Sequence, residues 1–352
     1  MLIYWMMFWF PLLGAISPKK MVAAQSHLIF FLVCAIFTVV MGFRDEVGGD
    51  WFNYLPSLKY FSTFDFVGAI EFRDPGYSLL TWLVAQADGS IYIVNLICAA
   101  LMMLGVYRFC CSLPNPWIAL LVAVPYMLIV VGMGYTRQAV ALGAVMYGLV
   151  YLGNERVLPF VLCLLFGATF HSSAVLLIPI AGVAASRRRV WSVLWVGLAF
   201  VIAYLVLLQA QTDELWINYV TNQETATNVQ HSYGAFERAS MNAVAAALLL
   251  LYRRRFVEEF QTRRLWIIFS WLALACLPMV PFASTAVDRM ALYLLPLQLF
   301  VFSRMPNLTS NKSARTVIVV GIVAYYAAVQ FVWLNFALMK EYWVPYHFMP
   351  LD

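Results

Sequence analysis

The side chains best suited to chemistry in this sequence are five arginines (Arg44, Arg73, Arg137, Arg238 and Arg289), with His171, Asp50 and Asp74. A guanidinium stays charged at every relevant pH, and its planar fork grips a phosphate or carboxylate by two bonds at once. Arg137 is the sharpest case. It stands in Gly134-Tyr135-Thr136-Arg137-Gln138 between two long apolar runs, and the nearest acids in the sequence are Asp88 and Glu155. Either it snorkels from a helix end or it is a fixed cation for a phosphate or anionic head group. Arg289 follows Asp288 in a turn between two apolar runs, where a local salt bridge and a substrate clamp braced by that aspartate are both open. Arg44, Arg73 and Arg238 lie in acidic loops, where exposed ion pairs are common and contribute little.

The other candidates also have two readings each. Asp74 directly precedes Pro75, the pattern of a helix N-cap followed by proline at the first helical position. Asp50 could cap the segment that starts at Trp51 in the same way, and either acid could instead accept a proton. His171 interrupts an apolar run in Phe170-His171-Ser172-Ser173-Ala174. It is either a hydrogen-bonded helix-end residue or a general base, since imidazole titrates at about 6.5 when unperturbed. The histidines at 27, 171, 231 and 347 have no metal-ligand spacing. The six cysteines sit in or at the ends of apolar runs without a CxxC pair, and Gly48-Gly49-Asp50 is too short for a phosphate loop.

These residues are held by an unusually apolar chain. Of its 352 residues 64% are hydrophobic and 11% charged, with a mean hydropathy of +0.82, against roughly 25% charged in an average globular domain. Too little polar surface remains to cover a soluble fold. That excludes a cytosolic enzyme, a disordered chain and a disulfide-built secreted domain, and leaves an all-α polytopic membrane protein. No basic tract exceeds three residues, so nucleic acid is not indicated as a partner. A bilayer takes about 20 apolar residues per helix, which yields about 10 to 13 membrane segments in a single domain over 1–352. Clear spans are 27–43, 91–109, 116–133, 190–209, 265–284 and 317–336, with shorter ones at 2–16, 138–152, 241–252 and 290–303. Met1 to Ile16 lacks a basic leader and precedes Lys19-Lys20, which suits a retained first span better than a cleaved signal.

Loop charge orients the chain. Arg187-Arg188-Arg189, the loop 253–264 and the loop 304–315 each carry a net +3, whereas loops 44–74 and 210–240 each carry −3. Basic loops stay in the cytoplasm, so the acidic pair faces outward. Agreement among all loops favours 75–87 as a re-entrant or half-span and 157–185 as two short helices meeting at His171. Trp51, Leu55, Leu58 and Phe61 recur at helical spacing, as in an amphipathic helix lying at the interface, short or broken at Pro56. With this topology the candidate arginines, aspartates and His171 collect at the outer face.

Several stretches then resemble one family. Gly48-Gly49-Asp50-Trp51-Phe52-Asn53-Tyr54 is similar to the G-x-D-(Y/F)-x-x-Y stretch of EpsG-family proteins, and Arg73-Asp74-Pro75-Gly76-Tyr77 to their E-P-G-Y/F element, with aspartate where glutamate is common. Arg137-Gln138-Ala139-Val140-Ala141 resembles their R-Q-x-x-A helix start, Phe170-His171-Ser172-Ser173-Ala174 their F-H-x-S-A, and Asp288-Arg289 with Tyr293 their late R-x-x-x-Y/F. The resemblance implies a Wzy-type polymerase of O-antigen or capsule repeat units, built as a GT-C-like multispanning bundle with broken helices and active at the periplasmic face of the inner membrane. Donor and acceptor would be oligosaccharides on undecaprenyl diphosphate, with no cofactor and no nucleotide sugar; membrane lipid and a chain-length regulator are the other expected partners. Arg137 and Arg289 would hold the leaving diphosphate in place of a metal, assisted by Arg73, Arg44 or Arg238. His171, Asp50 or Asp74 would take the acceptor proton, and Gln138, Tyr54 and Tyr77 would line the substrate. The rivals are a lipid-linked oligosaccharide flippase, which would want cations deep in the bundle, and an O-antigen ligase.

Overall fold

The computed structural model describes residues 1–17, 23–72, 74–180, 189–205, 232, 234–256 and 260–349. Helix dominates, as the apolar composition demands: with no water in the bilayer core, backbone groups must pair within their own segment. The order is α1 (Leu2–Ile16), α2 (Ala23–Gly42), α3 (Trp51–Phe61), α4 (Phe66–Glu71), α5 (Pro75–Gln86), α6 (Ile91–Cys111) and α7 (Pro116–Ala123). Then come α8 (Thr136–Gly153), α9 (Val157–Phe170), α10 (Arg189–Ala203), α11 (Ala235–Leu251), α12 (Arg253–Phe256), α13 (Phe260–Leu292), α14 (Pro296–Arg304) and α15 (Lys312–Phe336). Two short strands, β1 (Arg44–Asp45) and β2 (His347–Phe348), pair antiparallel. Among the described residues, four helical stretches are long and apolar enough to cross a bilayer: Gln25–Gly42, Ile91–Cys111, Arg264–Leu292 and Lys312–Phe336.

The core is built around α7 and the segment Val124–Gly132 that continues it in wider i→i+5 turns, every residue of which is buried. Such turns leave backbone groups to be satisfied from outside the helix. One is met by Trp343, a fully buried indole whose Nε1–H donates to the Ile129 carbonyl at 2.9 Å. The Trp343 carbonyl in turn accepts from the Tyr4 hydroxyl at 2.5 Å, so α1 packs into the bundle as an integral part. At the α6–α8 crossing the backbones touch: a Cβ on Gly105 would lie 1.9 Å from the Gly143 carbonyl oxygen. Small residues allow this close approach where no water-driven force pulls helices together.

Two features depart from the sequence expectation. First, 265–284 and the Asp288-Arg289 turn are one element. Helix α13 runs on to Leu292 through a break at Ala283 (φ −152°, ψ 59°), two residues after Pro281. Proline removes a helical donor and clashes one turn back, so it kinks a long helix, and Asp288 and Arg289 sit on the helical stretch beyond the kink. Second, α3 buries Trp51, Tyr54 and Phe61 and exposes Leu55, so its inward face is rotated from the expected one; Pro56 is accommodated inside this short helix. The acidic loop 210–240 is described only at Ser232 and from Gly234 onward.

Of the two ambiguous stretches, 75–87 is described whole and 157–185 as far as Ile180. Helix α5 begins at Asp74, which pairs with Arg137 at the start of α8. At the other end of α5, Gln86 donates to the Ser62 carbonyl at the end of α3. Beyond it, α6 starts where Tyr92 donates to Asp45 at 2.8 Å. Both ends of α5 therefore stay at one end of the bundle. Helix α9 stops at Phe170, His171 adopts an extended backbone (φ −155°, ψ 110°), and a 3-10 turn follows over Ser172–Leu177.

Candidate active site

The site forms where the ends of α5, α8, α9 and α13 meet beside the loop before α3. Arg137 occupies the first turn of α8, so its guanidinium and the positive end of that helix dipole lie together. Its Nη1–H donates to Asp74 Oδ2 at 2.6 Å, with the carboxylate 5% and the guanidinium 34% exposed. Tyr77 lies beneath, its ring centroid 5.9 Å from Arg137 Cζ and 5.6 Å from the Tyr54 ring. Gly76 makes this possible: a Cβ there would come within 2.3 Å of Thr169 Oγ1 at the end of α9.

The capping roles expected of the two aspartates are not what the structure shows. Asp74 stands at the N-cap position in left-handed backbone (φ 57°, ψ 68°) and makes no side-chain cap; its carboxylate goes to Arg137. A bond to a full cation is roughly twice as strong as one to a neutral N–H, which is why the cation wins. Asp50 likewise caps nothing with its side chain. It accepts from the Tyr54 hydroxyl at 3.2 Å. Burial pushes the Asp50 carboxyl above its ordinary range, against the opposing pull of Arg137, the Tyr54 hydrogen bond and Arg289.

Arg289 is exposed, and among the described residues its side chain has no hydrogen bond or ion pair. Asp288 does not brace it. That carboxylate accepts from Arg238 Nε at 2.6 Å and Nη2 at 2.7 Å, and from the Ser232 hydroxyl at 2.7 Å. The Arg238–Asp288 pair is 12% and 13% exposed, with Arg238 over the Tyr126 ring, so Arg238 belongs to a partly buried pair where a loosely held surface residue was expected. Gln138, buried on α8, donates to the Arg289 carbonyl at 3.0 Å. That bond fixes the end of α13 against the start of α8, and the charges of both Arg137 and Arg289 reach Asp50. A second tie runs through Ser173, whose hydroxyl bonds His171 Nδ1 at 2.6 Å and the Tyr293 hydroxyl at 2.9 Å. Tyr293 is one turn beyond Arg289.

Arg44 is the clearest revision. It is 1% exposed, donating to the carbonyls of Met41 at 2.5 Å and Val47 at 3.2 Å and to Thr136 Oγ1 at 2.8 Å, with Asn95 Oδ1 at 3.4 Å. It offers no surface to a substrate and instead anchors the strand β1 beneath the start of α8; burial lowers its pKa. Arg73 lies outside the described residues.

A family model described as EpsG family matches residues 27–348, nearly the whole chain. The chain belongs to the EpsG family. No curated protein matches it. EpsG is a Wzy-like polymerase family, so the chain is a polysaccharide polymerase-like membrane protein. The five stretches that resembled EpsG are scattered from Gly48 to Tyr293 in the sequence, and each contributes a side chain to this one cluster: Asp50 and Tyr54, Asp74 and Tyr77, Arg137 and Gln138, His171 and Ser173, Arg289 and Tyr293. Sequence reasoning missed Ser173 and Ser232 as hydrogen-bonding links. It also missed Tyr135, which lies within electrostatic range of Arg238, Asp288, Asp50 and Arg289. Its position beside Arg137 was the available signal.

Proposed function

We propose that this EpsG-family protein transfers a growing glycan from undecaprenyl diphosphate to the non-reducing-end sugar of a lipid-linked repeat unit, at the periplasmic face of the bacterial inner membrane. In this reaction the bond from the donor sugar's anomeric carbon to the diphosphate oxygen breaks. The acceptor hydroxyl oxygen bonds to that carbon, its proton passes to a protein base, and undecaprenyl diphosphate departs with the electron pair. The action of both Arg137 and exposed Arg289 on Asp50, with the Gln138–Arg289 bond holding their helices together, carries the proposal. Negative charge grows on the leaving group as the bond breaks, and preorganised cations aimed at developing charge are usually the largest catalytic contribution. Arg137 and Arg289 would supply it without a divalent metal. Asp50, raised by burial and beside both arginines, and His171, oriented by Ser173, are the candidate bases.

Charge asymmetry supports the orientation. Helix α11 leaves the site at Arg238 and spans about 25 Å at 1.5 Å per residue, so Arg253, Arg254 and Arg255 lie at the far end of the bundle. Basic ends face the cytoplasm. The test is incubation of the protein in liposomes with a lipid-linked repeat unit, with and without EDTA, reading product length. A ladder of repeats unaffected by EDTA and lost in Arg289→Ala supports the reading. Glycan moved onto a lipid A core acceptor without a ladder would make the protein a ligase. Transport of the lipid-linked unit with no new glycosidic bond would make it a flippase.

A further inference from the structure

On the membrane-facing side of the bundle, α6, α8 and α9 enclose a groove of about 270 Å³. We infer that this groove holds the first isoprene units of the polyprenyl chain whose diphosphate lies at Arg137, an inference that rests on the function proposed above.

The floor is made where α6 and α8 touch. Gly105, Gly143 and Ala144 lack long side chains, so the crossing that brings the two backbones together also leaves a trough beside it. Leu104, Leu162 and Phe166 form its walls and are exposed. In water such a strip would be a docking surface for another protein; in a membrane it is a slot for a hydrocarbon chain.

Position selects the kind of chain. Val140, at one end of the groove, is one turn along α8 from Arg137. It packs in a single buried cluster with Tyr54, Tyr77 and Phe170, the aromatic layer directly beneath the Arg137 guanidinium. Phe166 touches Phe170 with ring centroids 5.3 Å apart, and Phe170 leads straight into His171. Tyr147 marks the other end, seven residues further along α8 and so about 10 Å away at 1.5 Å per residue. The groove is therefore apolar along its length, with Arg137 one helical turn beyond its Val140 end and Arg108 over the Tyr147 ring at the other. An amphiphile with a single hydrocarbon chain and an anionic head matches both properties. A glycerophospholipid has two chains to place and a single trough to place them in, whereas a polyprenyl diphosphate has one. A tail seated here would set the depth and direction of the diphosphate before any sugar contact is made, which is positioning by binding energy remote from the reacting bond.

The test uses the full-length protein in liposomes with a diazirine-bearing polyprenyl diphosphate, mapping the labelled peptides after irradiation. Label is expected to concentrate on α8 and α9 between 140 and 166 and on α6 near Leu104, and to be displaced by unlabelled polyprenyl diphosphate but not by phosphatidylglycerol. Leu104→Trp and Leu162→Trp, at the exposed rim where folding is least at risk, should raise KM for the long-chain substrate about tenfold, equivalent to about 1.4 kcal/mol, with kcat kept. The same variants should match wild type on a repeat unit carrying a tail too short to enter the groove. Label spread evenly over lipid-facing α2 and α15, or equal displacement by phosphatidylglycerol, overturns the groove assignment. So does an unchanged KM in both variants when wild type makes a normal ladder. Absence of any ladder from wild type overturns the polymerase reading itself, and the two failures are thereby told apart.

Discussion

Replacing Asp74 by asparagine isolates the charge that holds Arg137. The native backbone there is left-handed (φ 57°, ψ 68°), a conformation that asparagine tolerates as well as aspartate does, so the substitution changes charge with little change of shape. The lost contact is a 2.6 Å charge-assisted bond from a guanidinium that is 34% exposed to a carboxylate that is 5% exposed. Hydrogen bonds to charged groups contribute ~1.5–3 kcal/mol, and solvent screening of a one-third exposed partner favours the lower end. At about 1.4 kcal/mol per factor of ten, Asp74→Asn should lower kcat/KM for polymerisation about tenfold, while Tyr77 keeps the guanidinium near its place. Arg137→Ala removes the cation altogether and should cost about 10²–10³. The assay is the ladder of lipid-linked repeats in liposomes, with melting of each purified variant as the folding control. Equal losses in the two variants would show that Asp74 itself acts on substrate and refute its role as a brace. A normal ladder from folded Arg137→Ala would refute the cation role.

Other consequences are equally direct. Because burial raises the Asp50 carboxyl, it stays protonated and unable to accept a proton over a wider acid range. Polymerisation should therefore climb with pH through a pKa above the ordinary carboxylate range and then level off. Asp50→Asn should abolish that limb; a limb that survives there and vanishes in His171→Gln assigns the base to His171 instead. Breaking the partly buried Arg238–Asp288 pair by replacing either partner with alanine should destabilise the fold by about 2–3 kcal/mol, between the exposed-pair and fully buried ranges, and the double variant should lose less than the two singles together. Additive losses in detergent melting curves would mean that the pair does not act as a unit. Arg44→Ala leaves carbonyls and a cavity unfilled and should cost about 3 kcal/mol or more, read as a lowered melting temperature; unchanged melting with impaired polymerisation would return Arg44 to the substrate-binding set.

The sequence by itself determined the class of molecule and much of its layout. Hydropathy over a span is a local sum, so 91–109 and 317–336 are read directly as helices. It also singled out Arg137, since a charge between two apolar runs is costly without a reason. The partners of the charged groups were decided only by the fold. Asp74 looked like a cap from its place before Pro75, but a guanidinium supplied by α8 outcompetes a neutral N–H. Arg44 looked like a loop residue until β1, α6 and α8 closed over it. Asp288 stood next to Arg289 in the chain and chose Arg238, because adjacent residues on a helix point in different directions while α11 presents its arginine on the side that Asp288 faces. Ion pairing depends on distance and direction in space, and here the groups that meet, Arg238 with Asp288 and Arg137 with Asp74, stand on different helices 50 and 63 residues apart in the sequence.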